Sequence, residues 1–125
     1  MNSFPIKNAL NKNLSYRVAG SLWIECDGER FFGPGRVELL QKIEATGSIN
    51  KAAKEMGMSY KKAWEMINAL NAQAGSPLII TQTGGEKGGG SVITKEAKQL
   101  IKYHQMLRQR FLAFLEKETQ NLTTP

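Results

Sequence analysis

One stretch of this chain constrains its fold more than any other: Ser48-Ile49-Asn50-Lys51-Ala52-Ala53-Lys54-Glu55-Met56-Gly57-Met58-Ser59-Tyr60-Lys61-Lys62-Ala63-Trp64. Ile49, Ala52, Ala53 and Met56 recur at helical spacing over about two turns. Ala52 and Ala53 are small where a second helix must cross the first closely. Gly57 then stands where a positive φ is needed to turn the chain. Ser48 and Ser59 each sit where a side-chain oxygen can cap a helix start. The helix after Ser59 runs to about Ala72 and buries Ala63, Ile67 and Leu70. A short helix, a glycine turn and a longer helix make a helix–turn–helix. An ordinary packed helical hairpin with a solvated lysine face fits the same residues.

The flanking sequence places this unit in an α+β chain of mostly helical mass. Residues 1–13 are polar, without a clear period, and read as a mobile arm. Leu14 to Cys26 has strand propensity at Tyr16, Val18, Leu22, Trp23 and Ile24. Asp27-Gly28 is a hairpin turn, and Glu29 to Phe32 the return strand. Gly33-Pro34-Gly35 breaks the chain before a helix from Arg36 to about Ala45, with Val37, Leu40 and Ile43 on one face. After the central motif, Leu78 to Thr83 and Ser91 to Thr94 read as strands joined by a glycine-rich loop. Thr94 caps a long helix that reaches about Lys117. The organisation expected is an arm over 1–13, a domain over 14–118 and a polar tail over 119–125.

Charge and composition narrow the function. Lysine and arginine exceed aspartate and glutamate by 17 to 11, a net charge of +6. The excess falls mostly after residue 47, and such a surface favours polyanions, nucleic acid first. The single cysteine, Cys26, and single histidine, His104, rule out an internal disulfide and a multi-His or Cys-based metal site. No Ser/His/Asp, Cys/His or paired-carboxylate arrangement falls on one site, so an enzyme is not expected, nor a cofactor. No apolar run approaches the roughly 20 residues that span a bilayer, and the N-terminus lacks a signal peptide's apolar stretch. A cytoplasmic protein with no membrane partner is the expectation.

Taking Ala63 as zero and about 100° per residue, Lys61 lies near 160°, Asn68 near 140° and Glu65 near 200°, away from the core. Tyr60 and Trp64 lie at the boundary, and Trp64 fits the core better than a base contact. In a helix–turn–helix the start of the second helix enters the major groove. Lysine there can reach guanine O6 and N7 or a phosphate. The candidate DNA-binding residues are Ser48, Asn50, Lys51, Ser59, Tyr60, Lys61, Lys62, Glu65 and, at the tip of the glycine loop, Lys87. That loop lacks the Gly-Lys-Ser/Thr ending and strand-to-helix setting of a P-loop. Between two strands after a recognition helix it reads as a wing, and a hairpin tip without function fits it too. On the long helix, Ala97, Leu100, His104, Leu107, Phe111 and Phe114 make a stripe of about 3.5-residue period. Leu100, His104, Leu107, Phe111 and Phe114 are the candidate dimerisation residues; the other reading is that the stripe packs on its own domain.

Gly57-Met58-Ser59-Tyr60-Lys61-Lys62-Ala63-Trp64, followed by Ile67-Asn68, resembles the helix–turn–helix of the ModE (molybdate-responsive) transcription regulators. Residues from Thr83 to Thr94 are similar to that family's wing. More distantly, Ser59, Ala63, Ile67 and Leu70 resemble the winged helix of LysR-type regulators. The resemblance covers about residues 14–117. It implies a dimeric winged-helix domain, with an N-terminal β-hairpin and a long C-terminal dimerisation helix, that binds double-stranded DNA at a near-palindromic site to regulate transcription. The ModE regulators carry molybdate-binding domains after the DNA-binding domain. The sequence leaves no room for one before Pro125, so a molybdate or tungstate response is not expected of it. A winged-helix adaptor or sensor acting through protein contacts is the alternative, favoured by the acidic Glu65 within the second helix.

Overall fold

The computed structural model describes residues 5–82 and 90–123. After a 3-10 turn at Lys7–Ala9, the order is β1 (Ile24–Cys26), β2 (Glu29–Phe32), α1 (Pro34–Thr46), α2 (Ile49–Glu55), α3 (Tyr60–Gln73), β3 (Ile79–Gln82), β4 (Gly90–Ile93) and α4 (Lys95–Leu122). This is a mostly helical α+β fold. Both sheets are antiparallel hairpins, β1 with β2 and β3 with β4. The chain forms two compact units, Trp23–His104 and Met1–Leu22 with Gln105–Pro125.

The first of these units holds the helix–turn–helix. Its core is Phe32, Leu39, Leu40, Ile43, Ile67 and Leu70, all fully buried, with Leu78, Ile79 and Ile93 from the second hairpin. Ala52, Ala53 and Ala63 are also buried. They are the small residues that let α2 and α3 pack closely. The turn between those helices is a Schellman motif, in which Met58 N–H donates to the Ala53 carbonyl (3.0 Å) and Gly57 N–H to the Lys54 carbonyl (3.1 Å). Gly57 has φ +67°. Ser48 and Ser59 cap α2 and α3, accepting from Lys51 N–H (3.1 Å) and Lys62 N–H (3.0 Å).

Gly47 joins α1 to both α2 and the second hairpin. At φ +69° it ends α1, donating its N–H to the Ile43 carbonyl (2.7 Å). Its own carbonyl accepts from Ser91 N–H on β4 (2.9 Å). One left-handed residue thus stops a helix, leads into the α2 cap and anchors the second hairpin.

Three boundaries differ by two or more residues from those expected of the sequence. The first strand spans only Ile24–Cys26 rather than most of Leu14 to Cys26. Its partner β2 ends at Phe32, immediately before Gly33 and Pro34, so residues 14–23 have no ladder to join. The register also breaks between Ile24 and Glu25, leaving Ile24 opposite Phe32 and Glu25 opposite Arg30. Helix α1 starts at Pro34, because proline at the first helical position gives up an N–H that has no partner there anyway. Helix α4 continues to Leu122, through part of the stretch expected to be a polar tail.

In the second unit, Val18 N–H donates to Thr119 Oγ1 (2.8 Å). A Cβ placed on Gly20 would stand 3.2 Å from the Phe111 ring. Residues with strand propensity here lie along a helix instead of in a sheet.

The conformation of Gly47 sets a stability test. Nothing lies within 4 Å of a Cβ placed there, so Gly47→Ala meets no clash and pays only for the left-handed backbone. Its stability to urea should fall by about 1–2 kcal/mol. Gly35→Ala, equally unobstructed but in ordinary helical backbone, should raise stability by about 0.5 kcal/mol. Equal effects of the two substitutions would contradict the role given to Gly47.

Candidate nucleic-acid interface

Helix α3 buries Ala63, Ile67 and Leu70 and exposes Lys61, Lys62, Glu65 and Asn68 on its other side. The angles read from sequence therefore hold. Ser59, Tyr60, Lys61 and Lys62 are all exposed at the start of this helix. The Ser59 cap takes one of the first-turn N–H groups, and the remaining ones make this end electropositive. Asn50 and Lys51 are exposed in the first turn of α2, with Ser48 half-buried as its cap.

A cleft of about 310 Å³ joins these elements to the second hairpin. Ser48, Asn50 and Tyr60 line it together with Trp64, Thr81 and Gln82. Tyr60 is 52% exposed and meets Trp64 edge-on, their ring centroids 6.1 Å apart. Trp64 is half-buried and packs against the core, so it supports Tyr60 from behind. Lys51, Lys61, Lys62 and Glu65 stand outside the cleft lining. Lys87 lies outside the described residues, within the stretch 83–89, and Gly90 at the end of the glycine loop opens β4 opposite Gln82.

Residues that pattern reading passed over hold this surface in place. Asn71, near the end of α3, accepts from Leu78 N–H (2.8 Å) and Ile79 N–H (3.2 Å) at Oδ1. Its Nδ2 donates to the Ile79 carbonyl (3.2 Å). The side chain thus fixes β3 to α3. Gln73 does the same for β2: its Oε1 accepts from Arg36 (2.8 Å) and its Nε2 donates to the Arg30 carbonyl (3.2 Å). Arg36 also donates to the Phe31 carbonyl (2.6 Å), and burial lowers its pKa from the usual arginine value. An asparagine near a helix end signals only a C-terminus; nothing in its spacing tells which strand it will meet.

The long stripe divides. Ala97, Ile101 and His104 are buried in the same unit as the helix–turn–helix, and Leu100 packs at the edge of that core. His104 is 3% exposed and packs edge-on against Phe32, with ring centroids 5.7 Å apart. The expectation that His104 faces a dimer partner is therefore corrected: its ring fills the core of its own chain. Beyond it, Leu107 and Phe111 are half-buried in the second unit, and Phe114 is 56% exposed.

Among the described residues, no group of three or more His, Cys, Asp or Glu is placed to hold a metal ion. No helix among them is long and apolar enough to cross a membrane.

Residues 35–98 match the family described as bacterial regulatory helix-turn-helix protein, lysR family. The transcriptional regulator ModE of Haemophilus influenzae is 40% identical over 88 residues, covering 70% of this chain and 34% of that protein. The DNA-binding transcriptional dual regulator ModE of Escherichia coli K12 is 39% identical over 88 residues, with the same coverage. The molybdenum-pterin-binding protein MopB of Rhodobacter capsulatus is 42% identical over 85 residues, or 68% of this chain and 31% of its own length. The chain thus spans about a third of the length of these relatives.

Asn71→Ala would leave the Leu78 and Ile79 N–H groups without their acceptor. The expected loss of stability is about 1–3 kcal/mol. Hydrogen exchange at those two amides should accelerate more than at the α1 amides. Uniform acceleration across the unit would mean that Asn71 does not hold the strand.

Proposed function

The chain belongs to the bacterial regulatory helix-turn-helix proteins of the LysR family, and from that premise we propose that it regulates transcription as a homodimer on a near-palindromic DNA site. Its winged-helix DNA-binding domain is related to that of the ModE regulators. The observation that carries the reading is the uncovered start of α3, where Tyr60, Lys61 and Lys62 are exposed beside a cleft that includes the base of the second hairpin. In this reading α3 lies in the major groove. Lys61 faces base edges and Lys62 the phosphate wall. Ser48, Asn50 and Lys51 at the start of α2 contact the backbone, with Ser59 as the cap that sets the helix end. Lys87, from the glycine-rich stretch between β3 and β4 in the sequence, adds a further phosphate contact.

One recognition helix reads few base pairs. A two-fold dimer places two of them about 34–36 Å apart, one turn of DNA, and so selects a near-palindrome. Leu107, Phe111 and Phe114 supply the apolar face for that contact, with Leu100 at its margin. A phenylalanine can bury roughly 150–250 Å².

Lys61→Ala should cost about 1–3 kcal/mol on the preferred site and relax the preference at one position. Lys62→Ala should weaken all sequences alike and lower the slope of log K against log salt by about one. Titration of the Lys61→Ala, Lys62→Ala double variant at several salt concentrations checks both, and unchanged binding would refute the assignment of α3.

Phe114→Asp places a charge in the proposed dimer contact while leaving the helix–turn–helix core untouched. Sedimentation should show a folded monomer, with affinity for the two-half-site DNA reduced at least tenfold. A wild-type chain that sediments as a monomer at micromolar concentration would refute the dimer.

A further inference from the structure

Glu65 is the lone acidic residue of α3. It lies on the exposed side of the helix, with Lys61 one turn before it and Asn68 one turn after. Lysines at i−4 and i−3 are within reach of a helical glutamate. Even so, the ion pairs among the described residues are Lys42–Glu55 and Lys98–Glu44, and Glu65 is in neither. The order lysine then glutamate is the weaker one for such a pair, because it opposes the helix dipole. A carboxylate with open acceptor sites therefore stands on the exposed face of a helix that starts with two lysines.

We propose that Glu65 accepts a hydrogen bond from the N4 amino group of a cytosine in the major groove, and so specifies one C·G pair in each half-site. The inference rests on the reading of α3 as the recognition helix. A carboxylate only accepts hydrogen bonds. Phosphates repel it, and so do guanine O6 and N7, adenine N7 and thymine O4, which are all acceptors. Two donors remain on the floor of the groove, adenine N6 and cytosine N4. Adenine N6 lies between two acceptors, its own N7 and thymine O4, whereas cytosine N4 has an acceptor on one side only. Cytosine is the base that leaves the charge best satisfied. Lys61 lies about 6 Å back along the helix, four residues at 1.5 Å each, and meets a different base pair. The negative charge lowers affinity for DNA of any sequence and raises the cost of a wrong base at its own position.

Selection from a randomised DNA pool with the full chain, followed by titration of the selected sites, tests this. The wild-type chain should select a C·G pair at one position of each half-site. Glu65→Ala should leave that position degenerate, with discrimination reduced about tenfold, and should bind random DNA more tightly. Glu65→Gln should move the preference there toward A·T, since glutamine pairs with adenine N6 and N7. Glu38→Gln, which removes an exposed charge from α1, should keep the wild-type preferences. Wild-type base frequencies retained at every position in both Glu65 variants, or no selected C·G pair in the wild type, would overturn the proposal while leaving α3 as the recognition helix. A wild-type chain with no sequence preference would overturn the proposal together with the function it rests on.

Discussion

The placement of α3 depends on the backbone of Gly47. Its left-handed conformation ends α1 on the Ile43 carbonyl, and its own carbonyl holds Ser91 of β4. The next residue, Ser48, caps α2. The exit of α1, the entry of α2 and the inner strand of the second hairpin are thus determined within two residues. Were α1 to continue another turn, the chain would lose both the cap and the strand anchor, and α2 would no longer cross under α3.

From that pivot the packing follows by size. Alanines 52, 53 and 63 are buried where α2 and α3 meet, while Leu39, Leu40 and Ile43 of α1 and Ile67 and Leu70 of α3 are buried in the same core. Polar side chains then lock what apolar packing leaves free. Asn71 brackets β3 and Gln73 brackets β2, both from the last turn of α3. A helix held at its far end by two hairpins and by its core face can leave its first turn uncovered. This first turn carries Tyr60, Lys61 and Lys62. The rigidity comes from one end of α3 and the exposed chemistry from the other.

Helix α4 shows how one periodic pattern can serve two environments. Its stripe reads as a single seam from Ala97 to Phe114. In the structure Ala97, Ile101 and His104 complete the core of the helix–turn–helix unit, and Leu107 and Phe111 belong to the other compact unit. Period reports that a face is apolar, and does not say what covers it. The segment from Leu14 to Trp23 makes the complementary point. Its residues suit a strand, but a strand forms only where another can pair with it, and β2 is too short to do so.

The helix–turn–helix was legible in the sequence because each of its signals is local. Ser48 and Ser59 cap helices within three residues of themselves, Gly57 turns the chain at its own φ, and the spacing of Ala63, Ile67 and Leu70 sets the buried face of α3 within three turns. The exposed positions of Lys61, Lys62 and Glu65 follow from that face. The Asp27-Gly28 hairpin was legible for the same reason. What only the tertiary structure decided is everything that joins residues distant in sequence: the Gly47 carbonyl on Ser91, the Asn71 side chain on β3, the edge of Phe32 against His104 and the cleft that brings Asn50 and Tyr60 to Thr81 and Gln82. A cap or a turn is satisfied by atoms a few residues away, so its residue types reveal it. A long-range hydrogen bond or ring contact depends on where two elements arrive, and the same asparagine or histidine would be written in the sequence whichever partner it met.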